Sequence, residues 1–209
     1  DFAREHRLTL STLFQGAWCL LVGRYTSETD VCCGVTVSGR HAGPADIERM
    51  IGLFINTVPL RARLADETPV VSFLRDLQRG HQEDQLHASL PLHEIQTASG
   101  LTGATALFDT LLVFENYPLD ALADEDDGGY RITGMHSVER TNYPLTLAVD
   151  PSGDELAVRL DYDARRTDGQ AMERLWGHLA TLLEALAADP ERALGALALL
   201  TEEEERRLA

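Results

Sequence analysis

Lysine is absent from this chain: all 18 basic residues are arginine. With no side-chain primary amine available, Schiff-base formation and other lysine-dependent catalysis are excluded. Positive charge is also outnumbered. Thirty-four acidic residues set a net charge of −16 over 209 residues, and such a surface repels phosphate backbones and anionic lipid. Nucleic acid and membrane surfaces are therefore not expected as partners. Cysteine is scarce, three residues in all. Cys32 and Cys33 are neighbours on an expected strand, so they point to opposite faces, while Cys19 falls within a helical pattern. An odd count without C-x-x-C spacing predicts buried, reduced thiols and a cytoplasmic setting. No apolar run approaches the roughly 18 residues that span a bilayer, and no signal peptide is visible. The chain opens on Asp1 rather than Met and is expected to be a piece of a longer protein.

Catalytic fingerprints are missing as well. The sequence contains no G-x-S-x-G elbow, phosphate-binding Walker loop, G-x-G-x-x-G, H-E-x-x-H or C-x-x-C pair. His81, His87 and His93 recur every six residues, a spacing that rotates about 240° along a helix. They do not share a helical face, so surface or capping roles are expected rather than a metal cage. Serine, histidine and acid are plentiful, but no spacing ties them into a triad. No catalytic residue and no metal site is assigned to this chain.

What is present is an ordinary globular composition, 44% hydrophobic and 25% charged, enough for one large domain or two small ones. Apolar residues at helical spacing predict helices over 8–25, 70–88 and 168–188, the last with Met172, Leu175, Trp176, Leu179, Leu182, Leu183 and Leu186 on its buried stripe. Thr167 and Gln170 fit a capping box at its start. Shorter helices are expected at 45–52 and, with Pro91 at its first position, at 91–98. Strands are expected at 31–38, 54–64, 108–114, 130–140 and 194–200. The 108–114 run is continuously apolar, as in a buried central strand. Residues 143–149 and 156–162 alternate around an Asp150–Gly153 turn and predict an antiparallel hairpin. Asp124–Asp127 reads as a solvated acidic loop, with a metal site as a weaker alternative, and 201–207 as a charged tail, helical or disordered. The fold class that follows is α/β, a mixed β-sheet covered by helices.

Met50 to Arg61 is the most informative stretch. Asn56 stands there among apolar strand residues and needs partners if buried, since an unmet hydrogen bond costs roughly 1–3 kcal/mol. Pro59 leaves an edge strand as the alternative explanation. Ile51-Gly52-Leu53-Phe54-Ile55-Asn56-Thr57 closely resembles the IGxFxNT motif of condensation domains of nonribosomal peptide synthetases. Gly34 to Arg40 looks like the strand-then-Gly-Arg element of that family, and His87 to Gln96 is similar to its HxxxPLxEIQ region. Phe108 to Pro118 looks like its LFDTLLVFENYP strand. Asn142-Tyr143-Pro144-Leu145 and Leu199-Leu200-Thr201-Glu202 resemble later segments in the same order, so the likeness covers nearly the whole chain.

The resemblance implies a chloramphenicol-acetyltransferase-like lobe. The family signature HHxxxDG belongs to the other, upstream lobe, and no His-His pair occurs here, so residues 1–200 are expected to be the C-terminal lobe of a condensation domain. Residues 201–209 would begin the linker towards an adenylation domain. By the same resemblance the whole domain joins aminoacyl and peptidyl thioesters held on the 4′-phosphopantetheine arms of donor and acceptor peptidyl carrier proteins, and this fragment alone should be inactive. Arg40, Gly52, Phe54, Asn56 and Arg61 are the candidates for the substrate tunnel or lobe interface. Arg40 is expected to pair with the signature Asp, or else to be a surface Arg. Asn56 is expected to line or brace the tunnel near the acceptor side, or else to be a buried structural Asn. No cofactor is expected to bind directly. The other readings are an inert condensation-like domain that recruits tailoring enzymes, and an epimerising or cyclising relative.

Overall fold

A computed structural model describes residues 1–40, 46–100, 106–115, 141–151 and 156–208. The expectations for the Asp124–Asp127 loop, the 130–140 strand and the Ser152-Gly153 turn fall outside these residues. After a single turn, α1 (Phe2–Glu5), Thr9 opens the first long helix, α2 (Leu10–Thr26). Its hydroxyl accepts the Thr12 N–H at 3.0 Å, satisfying one donor that a helix start leaves unpaired. Among the described residues four further helices follow: α3 (Val70–Gln85), α4 (Leu92–Ala98), α5 (Gly169–Ala188) and α6 (Glu202–Leu208). The strands among the described residues are β1 (Asp30–Val37), β2 (Asn56–Arg63), β3 (Thr110–Phe114), β4 (Leu145–Asp150) and β5 (Ala157–Tyr162).

They form one sheet in the order β2-β1-β3-β4-β5. β3 runs parallel to both neighbours, while β1/β2 and the β4/β5 hairpin are antiparallel. The expected mixed sheet is the one observed. Register explains where the core lies. Val31, Cys33 and Val35 align with Ala62, Leu60 and Val58, and Leu112 aligns with Leu147. These side chains share one face, where Trp18, Leu74, Leu179 and Leu182 from α2, α3 and α5 meet all of them except Val58, which packs with Val37 and Ala88. Each fully buried side chain of this kind contributes about 1.5–3 kcal/mol. The indole of Trp18 donates to Thr110 Oγ1 at 3.2 Å, so its polar end is not stranded in the core. β3 is buried on both faces, through Leu112 on one and Leu111 on the other. On that second face Gly34 lies under the ring of Phe108, where a Cβ would come within 2.3 Å. The cysteines follow the strand alternation: Cys19 and Cys33 are buried, Cys32 is half-buried, and all are free thiols.

Several local expectations are corrected. The 194–200 segment is not a strand but a 3₁₀ turn at Leu194–Ala196. Its N–H groups go to the 66–68 loop, Leu194 to the Thr68 carbonyl and Gly195 to the Asp66 carbonyl, and Leu194 and Leu197 are buried three residues apart, as 3₁₀ spacing allows. The 45–52 helix reduces to a 3₁₀ turn at Ile47–Arg49. The cap of α5 is Asp168 rather than Thr167, accepting the Ala171 N–H at 2.7 Å. Trp176, assigned to the buried stripe, is 42% exposed, because Leu175 and Leu179 occupy the line that faces the core.

The 201–208 tail is a docked helix. Thr201 and Glu204 form a capping box, and Glu204 Oε2 also meets His178 Nε2 at 2.9 Å. His178 Nδ1 in turn lies 2.8 Å from the Tyr25 hydroxyl. The Thr201 N–H and hydroxyl, with His178 beside them, hold the Glu204 carboxyl down at about 2. A depressed carboxyl stabilises the folded form above its ordinary value of 4.5 and stops doing so as pH falls through the folded value. Hydrogen exchange of the α6 amides should therefore accelerate as pH drops from about 4.5 towards 2 once intrinsic rates are corrected, and Glu204→Gln should abolish that acid dependence. A parent profile without the acid step would refute the docking role.

Candidate functional site

β1 and β3 are parallel, so their carboxyl ends open on the same side of the sheet, where α/β sheets characteristically bind ligands. A cleft of about 540 Å³ lies there. Its walls are Val35–Ser38, Val113–Glu115 and the 52–55 loop, together with Ser11 and Gln15 of α2 and His81 and Gln85 of α3. A larger cleft, about 860 Å³, is lined among others by Asp161, Asp163, Arg165 and Arg166. Its charges are matched internally: Arg165 and Arg166 both pair with Asp163. We therefore place the site at the strand ends.

The mouth of this cleft is built by a turn. Gly39 has φ +68°, and a Cβ there would stand 1.8 Å from the Phe54 carbonyl oxygen; only glycine tolerates both. Arg40 then folds its guanidinium over the Phe54 ring, 4.6 Å from the centroid, a cation–π contact. Its Nη1 donates to the carbonyls of Ile47 and Met50. Gly52 lies under the edge of the same ring, where a Cβ would come within 3.1 Å. Arg40, Gly52 and Phe54, three of the sequence candidates, thus converge on one assembly. Beside it Ile51, Leu53 and Ile55 are exposed and form an apolar rim.

Asn56 stands behind the wall and does not line the cleft. Its Nδ2 donates to the Ala88 and Leu90 carbonyls, both at 2.8 Å, and its Oδ1 accepts the Thr57 N–H at 2.9 Å. The side-chain amide clamps the α3–α4 connection onto the sheet. Arg61 is not brought to the site. It lies an odd number of residues from Asn56 and therefore on the other face, where it forms a bidentate pair with Asp30 at 2.8 and 2.6 Å. That pair is exposed, and solvent screening leaves such pairs little net stabilisation.

The polar floor escaped sequence reasoning. Gln15 is only 1% exposed and its Nε2 donates to Ser11 Oγ at 3.3 Å. The available signal was an amide side chain within the apolar stretch from Leu13 to Leu21. His81 is neither a surface nor a capping histidine: it is half-buried in the cleft with Nε2 3.1 Å from Gln85 Nε2, and burial lowers its pKa. Among the described residues no group of three or more His, Cys, Asp or Glu is placed to hold a metal ion, and no helix is long and apolar enough to cross a membrane.

Asn56→Ala should lower the melting temperature by several degrees, because two carbonyls lose their donor at about 1–3 kcal/mol. Amide exchange near residues 86–91 should quicken at the same time. An unchanged melting temperature would show that the clamp does not hold.

Comparisons with known proteins identify the family. The family description that matches is Condensation domain, over residues 1–209. Chondramide synthase cmdD of Chondromyces crocatus is 41% identical over 206 residues, 99% of this chain but 5% of that protein. Tyrocidine synthase 2 of Brevibacillus parabrevis is 38% identical over 210 residues, 99% of this chain and 6% of its own length. The chain thus spans a small fraction of these curated relatives. A crystal structure of a holo four-domain nonribosomal peptide synthetase bound to AMP and glycine superposes with TM-score 0.84 at 17% identity, covering 98% of this chain and 17% of that one. The starter condensation domain of rhizomide synthetase gives 0.77 at 22% identity, covering 96% of this chain and 44% of that one. The superpositions confirm the chloramphenicol-acetyltransferase-like fold, and the full-length family match with the sequence identities decides membership: this chain belongs to the condensation-domain family.

Proposed function

We propose that residues 1–200 are the C-terminal lobe of a condensation domain that makes peptide bonds in nonribosomal peptide synthesis, and that residues 201–209 begin the linker towards an adenylation domain. The observation that carries this reading is the cleft at the β1 and β3 carboxyl ends, rimmed by the exposed Ile51, Leu53 and Ile55 and closed by Arg40. An N-terminal lobe with the HHxxxDG signature would cover that rim and complete a tunnel. Arg40, held over Phe54 at the mouth, would present its guanidinium to the signature Asp. Gly52 and Phe54 shape that junction and Asn56 braces it. Arg61, on the opposite face, drops out of the proposal.

The chemistry is acyl transfer between two tethered substrates. The acceptor amine nitrogen attacks the donor thioester carbonyl, a C–N bond forms, the C–S bond breaks, and the thiol of the donor 4′-phosphopantetheine leaves with the proton given up by nitrogen. Two carrier proteins deliver the reactants, and holding them in contact supplies a large effective concentration. This lobe contributes wall, floor and orientation rather than a nucleophile.

The test uses two charged carrier proteins and mass spectrometry. The whole condensation domain should yield the amide product, and the 209-residue fragment should yield none above background. Turnover by the fragment alone would overturn the division of labour. A whole domain that binds both carriers without making product would favour recruitment over catalysis.

A further inference from the structure

His178 of α5 is buried, and each of its ring nitrogens is taken by a different helix. Nε2 lies 2.9 Å from Glu204 Oε2 of α6, and Nδ1 lies 2.8 Å from the hydroxyl of Tyr25 in the last turn of α2. The same carboxylate oxygen receives the Thr201 N–H and hydroxyl, both at 2.9 Å. Gly177 leaves room for this approach, since a Cβ there would stand 3.0 Å from Thr201 Cγ2. Within Glu202–Leu208 only Glu204 is not exposed. The hold of α6 on the lobe is therefore concentrated at one side chain.

The direction of each hydrogen bond follows from the groups involved. A carboxylate oxygen only accepts, so His178 Nε2 carries a proton and donates to Glu204. In the neutral ring Nδ1 is then bare and accepts the Tyr25 O–H. The hydrogen bond at one imidazole nitrogen fixes which tautomer the other presents. Tyr25 thereby favours the tautomer that grips Glu204, and its influence on α6 runs through the imidazole.

We propose that α6 is a releasable latch on the outgoing chain, closed by Glu204 on His178, with Tyr25 as the positioning residue that holds the imidazole in its donating tautomer. That this chain leads to an adenylation domain rests on the linker reading above. Closed, the seven residues of α6 span about 10 Å as helix. Released and extended, they reach about 24 Å. The latch therefore sets the reach and direction of the domain that follows.

Amide hydrogen exchange, read by mass spectrometry on the whole synthetase that contains this chain, tests the latch. Tyr25→Phe should quicken exchange of the α6 amides about fivefold, the effect of losing one hydrogen bond, and leave the α5 amides unchanged. Glu204→Gln weakens the acceptor and should also quicken α6, and adding Tyr25→Phe to it should multiply the rate by clearly less than the single-variant factor, because both act on one route. Unchanged α6 exchange in Tyr25→Phe would overturn the latch, and so would a full multiplication of the two effects. Loosening of α5 together with α6 would do the same, since it would mark Tyr25 as a packing residue. If Tyr25→Phe does not fold, Glu204→Gln decides alone: faster α6 exchange with α5 unchanged supports the latch, and parent-like exchange overturns it. Amino-acid activation by the same preparations tests the linker reading separately, so the two can fail independently.

Discussion

Gly39 and the Phe54 carbonyl meet at a separation that no side chain could share, and the geometry of the cleft depends on that contact. The left-handed turn at Gly39 ends β1 and lets the 52–55 loop come directly against it. Arg40, the next residue, is thereby carried over the Phe54 ring. Two residues beyond Phe54 the chain enters β2, where Asn56 pairs with Val37 in the sheet. The Asn56 amide then secures Ala88 and Leu90, which fixes the end of α3 and with it the height of His81 and Gln85 above the sheet. One backbone approach therefore sets both the mouth and the floor.

Much of the architecture was legible because its signals are local. The wide stripes of α2 and α5, the alternation of β4 and β5 and the uninterrupted apolar run of β3 each report their own surroundings. The 194–200 segment misled because its partners, Asp66 and Thr68, are more than a hundred residues away, and an apolar run that short does not distinguish a strand from a buried turn. Trp176 misled in another way: a stripe wider than the available groove must leave one flank in solvent.

The site divides along the same line. Arg40, Gly52 and Phe54 are close in sequence and were recoverable from motif resemblance. Arg61 could have been set aside from strand parity alone, since it alternates away from Asn56. Gln15 and His81 belong to helices far apart in sequence, and their convergence depends on how α2 and α3 pack across the sheet. A glutamine in an apolar stretch was visible, but its unmet carbonyl exists only once the helix is in place.

The three thiols, two sealed and one half-covered, give the fold an internal clock for its own opening. Cys19 and Cys33 lie between α2 and β1 with no exposed surface, so a thiol reagent reaches them only when helix and sheet separate. Cys32 faces the other way, and burial pushes its thiol up to about 11, which keeps it slow to react without hiding it. Labelling should therefore proceed in two phases: a pH-dependent one at Cys32 from the native state, and one at the buried pair paced by separation of the layers.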